Sequence, residues 1–320
     1  MLRRLSDEIG QDNLTAAKKL SSGGGKVFYS GFVALIGRPN VGKSTLLNAL
    51  IGEKMAIISD KPQTTRNQIR GILTTEKYQA VFLDTPGIHK PQHKLGEKMV
   101  QVAVRTLQEV DLILLLIDAA GGRGAGDEYV IRQLAAVETP VILVANKADQ
   151  TGIVNAEELL PEYCALYPFA HALAVSALTG ENLEKLLALA VKYLPEGPQY
   201  YPTDMVTDQP ERLIVGELIR EKIFQATREE VPHAVAVEVS SMKKREGREL
   251  VDIQANIWVE RDSQKGIIIG KNGAMLKAVG MSSRLEIEAL LGTPVFLELW
   301  VKVKADWRNK EASWRTFGLE

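Results

Sequence analysis

The stretch "GRPNVGKS" at residues 37–44 constrains this chain more than any other. It sets Gly37, Gly42, Lys43 and Ser44 in the spacing G-x-x-x-x-G-K-S. An apolar run, "FVALIG" (32–37), precedes it, and a helical pattern, "STLLNALIG" (44–52), follows. A strand that turns into a helix through glycines can present a ring of backbone N–H groups to an anion, and the helix dipole adds to the attraction. Asn40, Val41 and Thr45 complete that ring. The Lys43 ammonium suits the terminal phosphates of a nucleotide, and the Ser44 hydroxyl suits Mg²⁺.

A loop of this kind needs a sheet behind it, and the rest of the chain supplies one. Short apolar runs recur at "AVFLD" (80–84), "DLILLLID" (111–118), "PVILVANK" (140–147) and "HALAVSAL" (171–178). Amphipathic stretches at 93–109, 127–137, 155–165 and 181–193 separate them. Continuous apolar strands alternating with helices predict an α/β domain, a mostly parallel sheet with helices on both faces. The segment "IRGILTTEKYQ" (69–79) leaves no room for a helix and is expected as an antiparallel partner at the sheet edge. After Leu194, "PEGPQYYPTDMVTDQPE" (195–211) marks a boundary. Beyond it come a helix (213–229), strands at 233–242 and 251–260, helices around a second glycine loop, and a strand at 294–307. That order predicts a smaller α+β domain. The expected organisation is a flexible extension (1–27), a nucleotide domain (28–195), a linker (196–212) and a second domain (213–320).

Of the 320 residues, 25% are charged and 45% hydrophobic, with a formal net charge of −1, so any nucleic acid must be met by a local patch. The longest apolar run is far shorter than a membrane span. One cysteine, Cys164, allows no intrachain disulfide and fits a reducing compartment, and the first residues lack a signal-peptide core. A cytoplasmic monomer is expected.

Three further stretches refine the first site. "DTPG" (84–87) ends a strand, where Asp84 suits the Mg²⁺ shell and the Gly87 amide a γ-phosphate. "NKAD" (146–149) ends a later one. Asn146, Lys147 and Asp149 suit a guanine edge, because a carboxylate accepts from both N1–H and the exocyclic amine. Adenine offers the wrong pattern there, which disfavours an ATP-dependent enzyme. Alone, "NKAD" is also a helix-starting turn. Ser176 and Ala177 of "SAL" (176–178) can bring a backbone N–H to the base oxygen. All of these lie at carboxyl ends of predicted strands, where open α/β sheets bind ligands.

The second glycine loop, in "GIIIGKNGAMLKAVG" (266–280), has G-x-x-G at Gly270, Lys271, Asn272 and Gly273. It lacks a Lys-Ser pair and sits between helices, so it is not a second nucleotide loop. Two readings stand. One is a helix-turn-helix packing corner. The other is a clamp on a nucleic-acid backbone, with Ile267 and Ile268 as an apolar floor and Lys271 and Lys277 as donors. From 261 to 310, nine cations stand against five carboxylates, a net +4, and "KKREGR" (243–248) adds a basic turn. Such runs are also ordinary solvated faces.

Taken together, "GRPNVGKSTLLNAL", "KPQTTRNQIRG", "DTPGIHK" and "NKAD" resemble the Era family of GTPases, and the order around G-x-x-G resembles a type II KH domain. The resemblance runs over nearly the whole chain from about residue 28. It implies a P-loop GTPase cycling between GTP and GDP with Mg²⁺, joined to an RNA-binding KH domain. It further implies binding to the 3′ end of small-subunit ribosomal RNA, maturation of the small ribosomal subunit and a peripheral contact on the inner face of the cell membrane. The competing reading is a GTPase whose second domain binds a protein or membrane surface without RNA affinity. By resemblance Thr65, with Thr64 its rival, closes over Mg²⁺ from a first switch within 57–69, and a second switch spans 87–95. The catalytic set is then Lys43, Thr65, Gly87 and Asn40. In GTPases resembling this class an asparagine at the position of Asn40 helps bind K⁺; the other reading of Asn40 is a loop-stabilising turn. Ile88 follows Gly87 where Ras-like GTPases carry a water-orienting glutamine, so slow intrinsic turnover is expected.

Overall fold

The computed structural model describes residues 27–57, 65–91 and 93–319. The expectations for residues 1–26, for Thr64 and for most of the first switch fall outside them. The chain divides into two compact units.

The first unit is built on β1 (Tyr29–Ile36), β2 (Ile69–Thr74), β3 (Tyr78–Asp84), β4 (Leu112–Asp118), β5 (Val141–Asn146) and β6 (His171–Ala174). They form one sheet in the order β2-β3-β1-β4-β5-β6. Only β2 runs antiparallel, pairing Ile69 with Asp84 and Thr74 with Gln79. The helices are α1 (Lys43–Ile51), the end of α2 (Lys94–Thr106), whose residues 94–100 belong to the second unit, α3 (Ala125–Leu134), the short turns α4 (Ala148–Thr151), α5 (Ile153–Glu158) and α6 (Leu160–Cys164), and α7 (Leu183–Val191). The apolar run predicted at 111–118 is buried because β4 lies between β1 and β5. Each Leu or Ile there contributes about 1.5–3 kcal/mol through loss of water contact. Strand β1 is flanked by β3 on one side and β4 on the other. The chain reverses direction of growth there, and a crevice opens beyond the carboxyl end of β1. The phosphate loop starts in that crevice.

Residues 196–208, expected as a linker, belong to this first unit. The Gln79 carboxamide accepts from the Tyr200 and Tyr201 amides and donates to the Tyr201 carbonyl. Ile72 N–H donates to the Val206 carbonyl at 2.8 Å, and Arg70 pairs with Asp208. A proline-rich segment cannot form a full ladder, yet here it shields the edge strand β2 from further pairing. Sequence composition marks the boundary but not the adhesion.

The second unit comprises residues 209–320 with the described parts of 56–67 and 90–100. Its frame is α8 (Glu211–Ala226), β7 (Ala236–Lys244), β8 (Val251–Val259), α9 (Asp262–Ile269), α10 (Ala274–Leu291), β9 (Val295–Val303) and α11 (Glu311–Thr316). The sheet order is β7-β8-β9, antiparallel then parallel, with a bulge between Val239 and Ser241. Period-two alternation sends Ile253, Ala255, Ile257 and Val259 inward, where they meet Val215, Ile219 and Ile223 of α8 and Val279 and Ile287 of α10. A second cluster joins Leu95 and Met99 of α2 to Trp307, Trp314, Phe317 and Leu319. Among the described residues no helix is long and apolar enough to cross a membrane.

Candidate functional site

The phosphate loop is shaped by contacts that only glycine permits. Gly37 has φ +151°, and a Cβ on it would lie 2.5 Å from the Leu116 carbonyl oxygen. Gly42, at φ +93°, leaves room for the Asn146 carboxamide, which a Cβ would meet at 2.3 Å. Helix α1 opens immediately afterwards, so its unsatisfied N–H groups face the loop. Asn40 occupies left-handed backbone, φ +67°, a conformation asparagine tolerates. The Lys43 ammonium donates to the carbonyls of Arg38 (3.2 Å) and Gly37 (3.4 Å). Burial pushes its pKa down to about 8, opposed in part by the Asp84 charge.

Ser44 Oγ donates to Asp84 Oδ2 at 2.6 Å. A hydroxyl and a fully buried carboxylate thus converge beside the loop, and such hard oxygen donors fit Mg²⁺. Gly87 packs against the loop so closely that a Cβ would stand 2.9 Å from Pro39 N. Ile88 is fully buried and its N–H donates to the Gly37 carbonyl at 3.2 Å. An aliphatic chain so placed cannot orient water.

The base-side loops meet through Asn146. Its Nδ2 donates to the Val41 carbonyl (2.9 Å) and its Oδ1 accepts from Ala177 N–H (3.0 Å). Each end of this side chain makes one bond that joins the loops, so Asn146 positions the base site, and its carboxamide carries a second N–H beyond those two bonds. The Ala177 amide, expected to face a base oxygen, is directed at Asn146 instead. Strand β6 ends at Ala174, so Ser176 lies in the loop beyond it and not at the strand end. Ser176 Oγ donates to Asp149 Oδ1 at 2.7 Å, which orients an exposed carboxylate. Lys147, at φ +68°, pairs with Asp118 at 2.7 Å. Thr65 belongs to the second unit, where it is 6% exposed.

In the second unit, α9 and α10 are joined by the loop 270–273. Gly270 (φ +72°) and Gly273 (φ +79°) both need left-handed backbone. A Cβ on Gly270 would also strike Met275 at 2.7 Å, whereas Gly273 faces open space. Lys271, Asn272 and Lys277 are exposed, and Ile267 is 47% exposed. Ile268, expected in the apolar floor, is 0% exposed and lies in the core between helices and sheet. It supports the loop from beneath and offers no surface. Part of the local basic charge is also spent internally, since Arg308 pairs with Glu260 and Arg284 with Glu288.

The sequence did not single out Arg66. It follows Thr65 and is buried, donating to the carbonyls of Val235 and His233 (3.0 Å for the latter), with its guanidinium 5.4 Å above the Trp307 ring. Asn67 Nδ2 donates to the Gly318 carbonyl at 2.6 Å. These partners lie far away in sequence, and no local pattern announces them.

Comparison with known proteins agrees with this division. Residues 32–147 match the family described as 50S ribosome-binding GTPase, and residues 230–308 match the KH domain. The chain is 58% identical to GTPase Era of Alkaliphilus oremlandii (strain OhILAs) over 293 residues, 92% of this chain and 99% of the relative. It is 54% identical to GTPase Era of Alkaliphilus metalliredigens (strain QYMF) over 297 residues, with the same coverage. A crystal structure of a variant Aquifex aeolicus Era bound to GDP·AlF4⁻ matches with TM-score 0.88 at 43% identity, covering 91% of this chain and 99% of that one. An Era structure in complex with MgGDPNP and nucleotides 1506–1542 of 16S ribosomal RNA matches with TM-score 0.89, the same identity and the same coverage. With a GTP-type loop set in one unit, a G-x-x-G loop in the other and this similarity along nearly its whole length, the chain is a GTPase and belongs to the GTPase Era family.

Proposed function

We propose that this chain is a GTP-operated RNA-binding protein that engages the 3′ region of small-subunit ribosomal RNA and assists maturation of the small ribosomal subunit. The observation that carries this reading is the exposed loop 270–273. Two glycines at positive φ keep its backbone bare, and Lys271, Asn272 and Lys277 surround it with donors. A sugar-phosphate chain can approach a bare backbone closely, and Ile267 supplies an apolar contact for an unstacked base. The rRNA fragment in complex with a similar Era supports the choice of partner.

In this reading GTP and water are converted to GDP and phosphate at the first unit. The amides of Gly37, Asn40, Val41, Gly42 and Thr45 and the Lys43 ammonium hold the phosphates. Ser44 and Asp84 would hold Mg²⁺, which would supply positive charge against the transferred phosphoryl group, and Thr65 is named as the first-switch ligand by resemblance to the family alone. The Gly87 amide meets the γ-phosphate. Asp149, held by Ser176, reads the guanine edge, while Asn146, Lys147 and Ala177 fix the surrounding loops. Asn40 adds a ligand for K⁺; turnover faster in potassium than in sodium supports this role, and equal rates remove it. GTP orders the two switches and shifts the population of RNA-competent states.

Filter binding with single-stranded RNA of the 16S 3′ sequence tests the proposal. The double substitution Gly270→Asp and Gly273→Asp is expected to abolish RNA retention and leave GTP binding intact. RNA affinity that survives it would make the loop a packing corner. A wild-type chain with no RNA affinity would leave a protein or membrane partner for the second unit.

A further inference from the structure

The glycine-rich segment "GGRGAG" (121–126) has no part in the nucleotide site as described, yet it lies against the phosphate loop. The side chain of Arg38, the second residue of that loop, runs beside it. A Cβ on Gly121 would lie 2.9 Å from Arg38 Nη2, and one on Gly126 would lie 3.5 Å from Arg38 Cδ. Beyond the glycines Arg38 Nε reaches Asp127 Oδ1 at 3.1 Å. Asp127 is 2% exposed, and its other oxygen accepts from Tyr163 O–H (3.1 Å) and Gly124 N–H (3.1 Å). Burial raises both the Asp127 carboxyl and the Tyr163 phenol above their ordinary pKa values. A buried carboxylate without its cation would be costly, so the ion pair favours this placement of Arg38, whose Nε makes no hydrogen bond among the described residues while Nη2 donates to the Gly122 carbonyl at 3.5 Å.

What Arg38 holds is the part of the loop that touches residues 87 and 88. The Gly37 carbonyl accepts from Ile88 N–H, Pro39 abuts Gly87, and the Gly37 and Arg38 carbonyls receive Lys43. We propose that the Arg38–Asp127–Tyr163 chain is a positioning device that fixes residues 37–39 so that the loop discriminates GTP from GDP. Arg38, Asp127 and Tyr163 are positioning residues, acting through the backbone against which Gly87 rests. The inference rests on the nucleotide site proposed above. That site fails separately if Lys43→Ala retains GTP turnover, whatever Arg38 does.

The test measures Kd for GDP and for a non-hydrolysable GTP analogue, together with kcat, in Arg38→Ala, Asp127→Asn, their combination and Arg38→Lys, with thermal midpoints recorded. Arg38→Ala is expected to weaken the analogue at least about fivefold more than GDP and to lower kcat about tenfold. Asp127→Asn should act in the same direction, and the combination should be no worse than the stronger single change, as for partners in one interaction. Arg38→Lys should recover part of the loss. Should the analogue-to-GDP ratio and kcat stay within twofold of the parent in Arg38→Ala, the proposal is overturned. Equal weakening of both nucleotides with a fallen thermal midpoint would also overturn it, by making the chain of contacts a matter of folding alone. Arg38 is partly exposed, so its substitution tests the idea even if Asp127→Asn does not fold.

Discussion

Ser44 and Asp84, forty residues apart in the chain, meet in a 2.6 Å hydrogen bond from hydroxyl to carboxylate. One opens α1 and the other ends β3, so the bond is set by the packing of helix on sheet. If this pair holds Mg²⁺, Ser44→Ala should lower GTP turnover on the order of 10²-fold. The Mg²⁺ concentration for half-maximal rate should rise as well. A magnesium titration of turnover checks both effects. An unaltered Mg²⁺ dependence would remove Ser44 from the metal site.

The buried Lys43 gives the site a pH signature. Its pKa is lowered to about 8 by burial, and a polyphosphate beside it favours the ammonium and raises that value. Binding is then linked to proton uptake wherever the unbound lysine is neutral. GTP affinity should be constant below about pH 8 and fall as pH rises above it, by at most about tenfold per unit. Calorimetry at pH 9 in buffers of different ionisation enthalpy should detect the uptake. Lys43→Ala should show neither the uptake nor turnover.

Base choice should reside in Asp149. Its carboxylate is exposed and oriented by Ser176 Oγ at 2.7 Å, whereas Asn146 also ties the Val41 carbonyl to the Ala177 amide. Asp149→Asn should cost GTP affinity on the order of 10³-fold, the loss of two charge-assisted hydrogen bonds. It should favour xanthine nucleotides, which competition binding with XTP and GTP would reveal. Retained GTP preference would place guanine recognition elsewhere.

Much of this was legible in the sequence for a local reason. The phosphate loop, the antiparallel edge strand and the G-x-x-G turn are each fixed within about a dozen residues by glycine placement and apolar periodicity. The remainder depends on partners remote in sequence. Arg66 meets Val235 169 residues away, and Arg38 finds Asp127 only because β4 and α3 bring it there. The error at Ile268 has a similar origin. In "GIIIG" three isoleucines follow one another on α9, each turned about 100° from the last, and sequence does not say which faces inward. The core claims Ile268 and leaves Ile267 at the surface. At Asn146 a functional motif doubles as a structural joint between Val41 and Ala177, which the motif alone does not announce.

The central claim is that the nucleotide held in the first unit governs RNA binding by the second. The direct measurement is the affinity for RNA of the 16S 3′ sequence with GDP and, separately, with a non-hydrolysable GTP analogue, at fixed salt because phosphate contacts make affinity salt-dependent. The account predicts affinities that differ by at least about fivefold, the lower end of ordinary coupling between sites. Equal affinities in the two nucleotide states would contradict it.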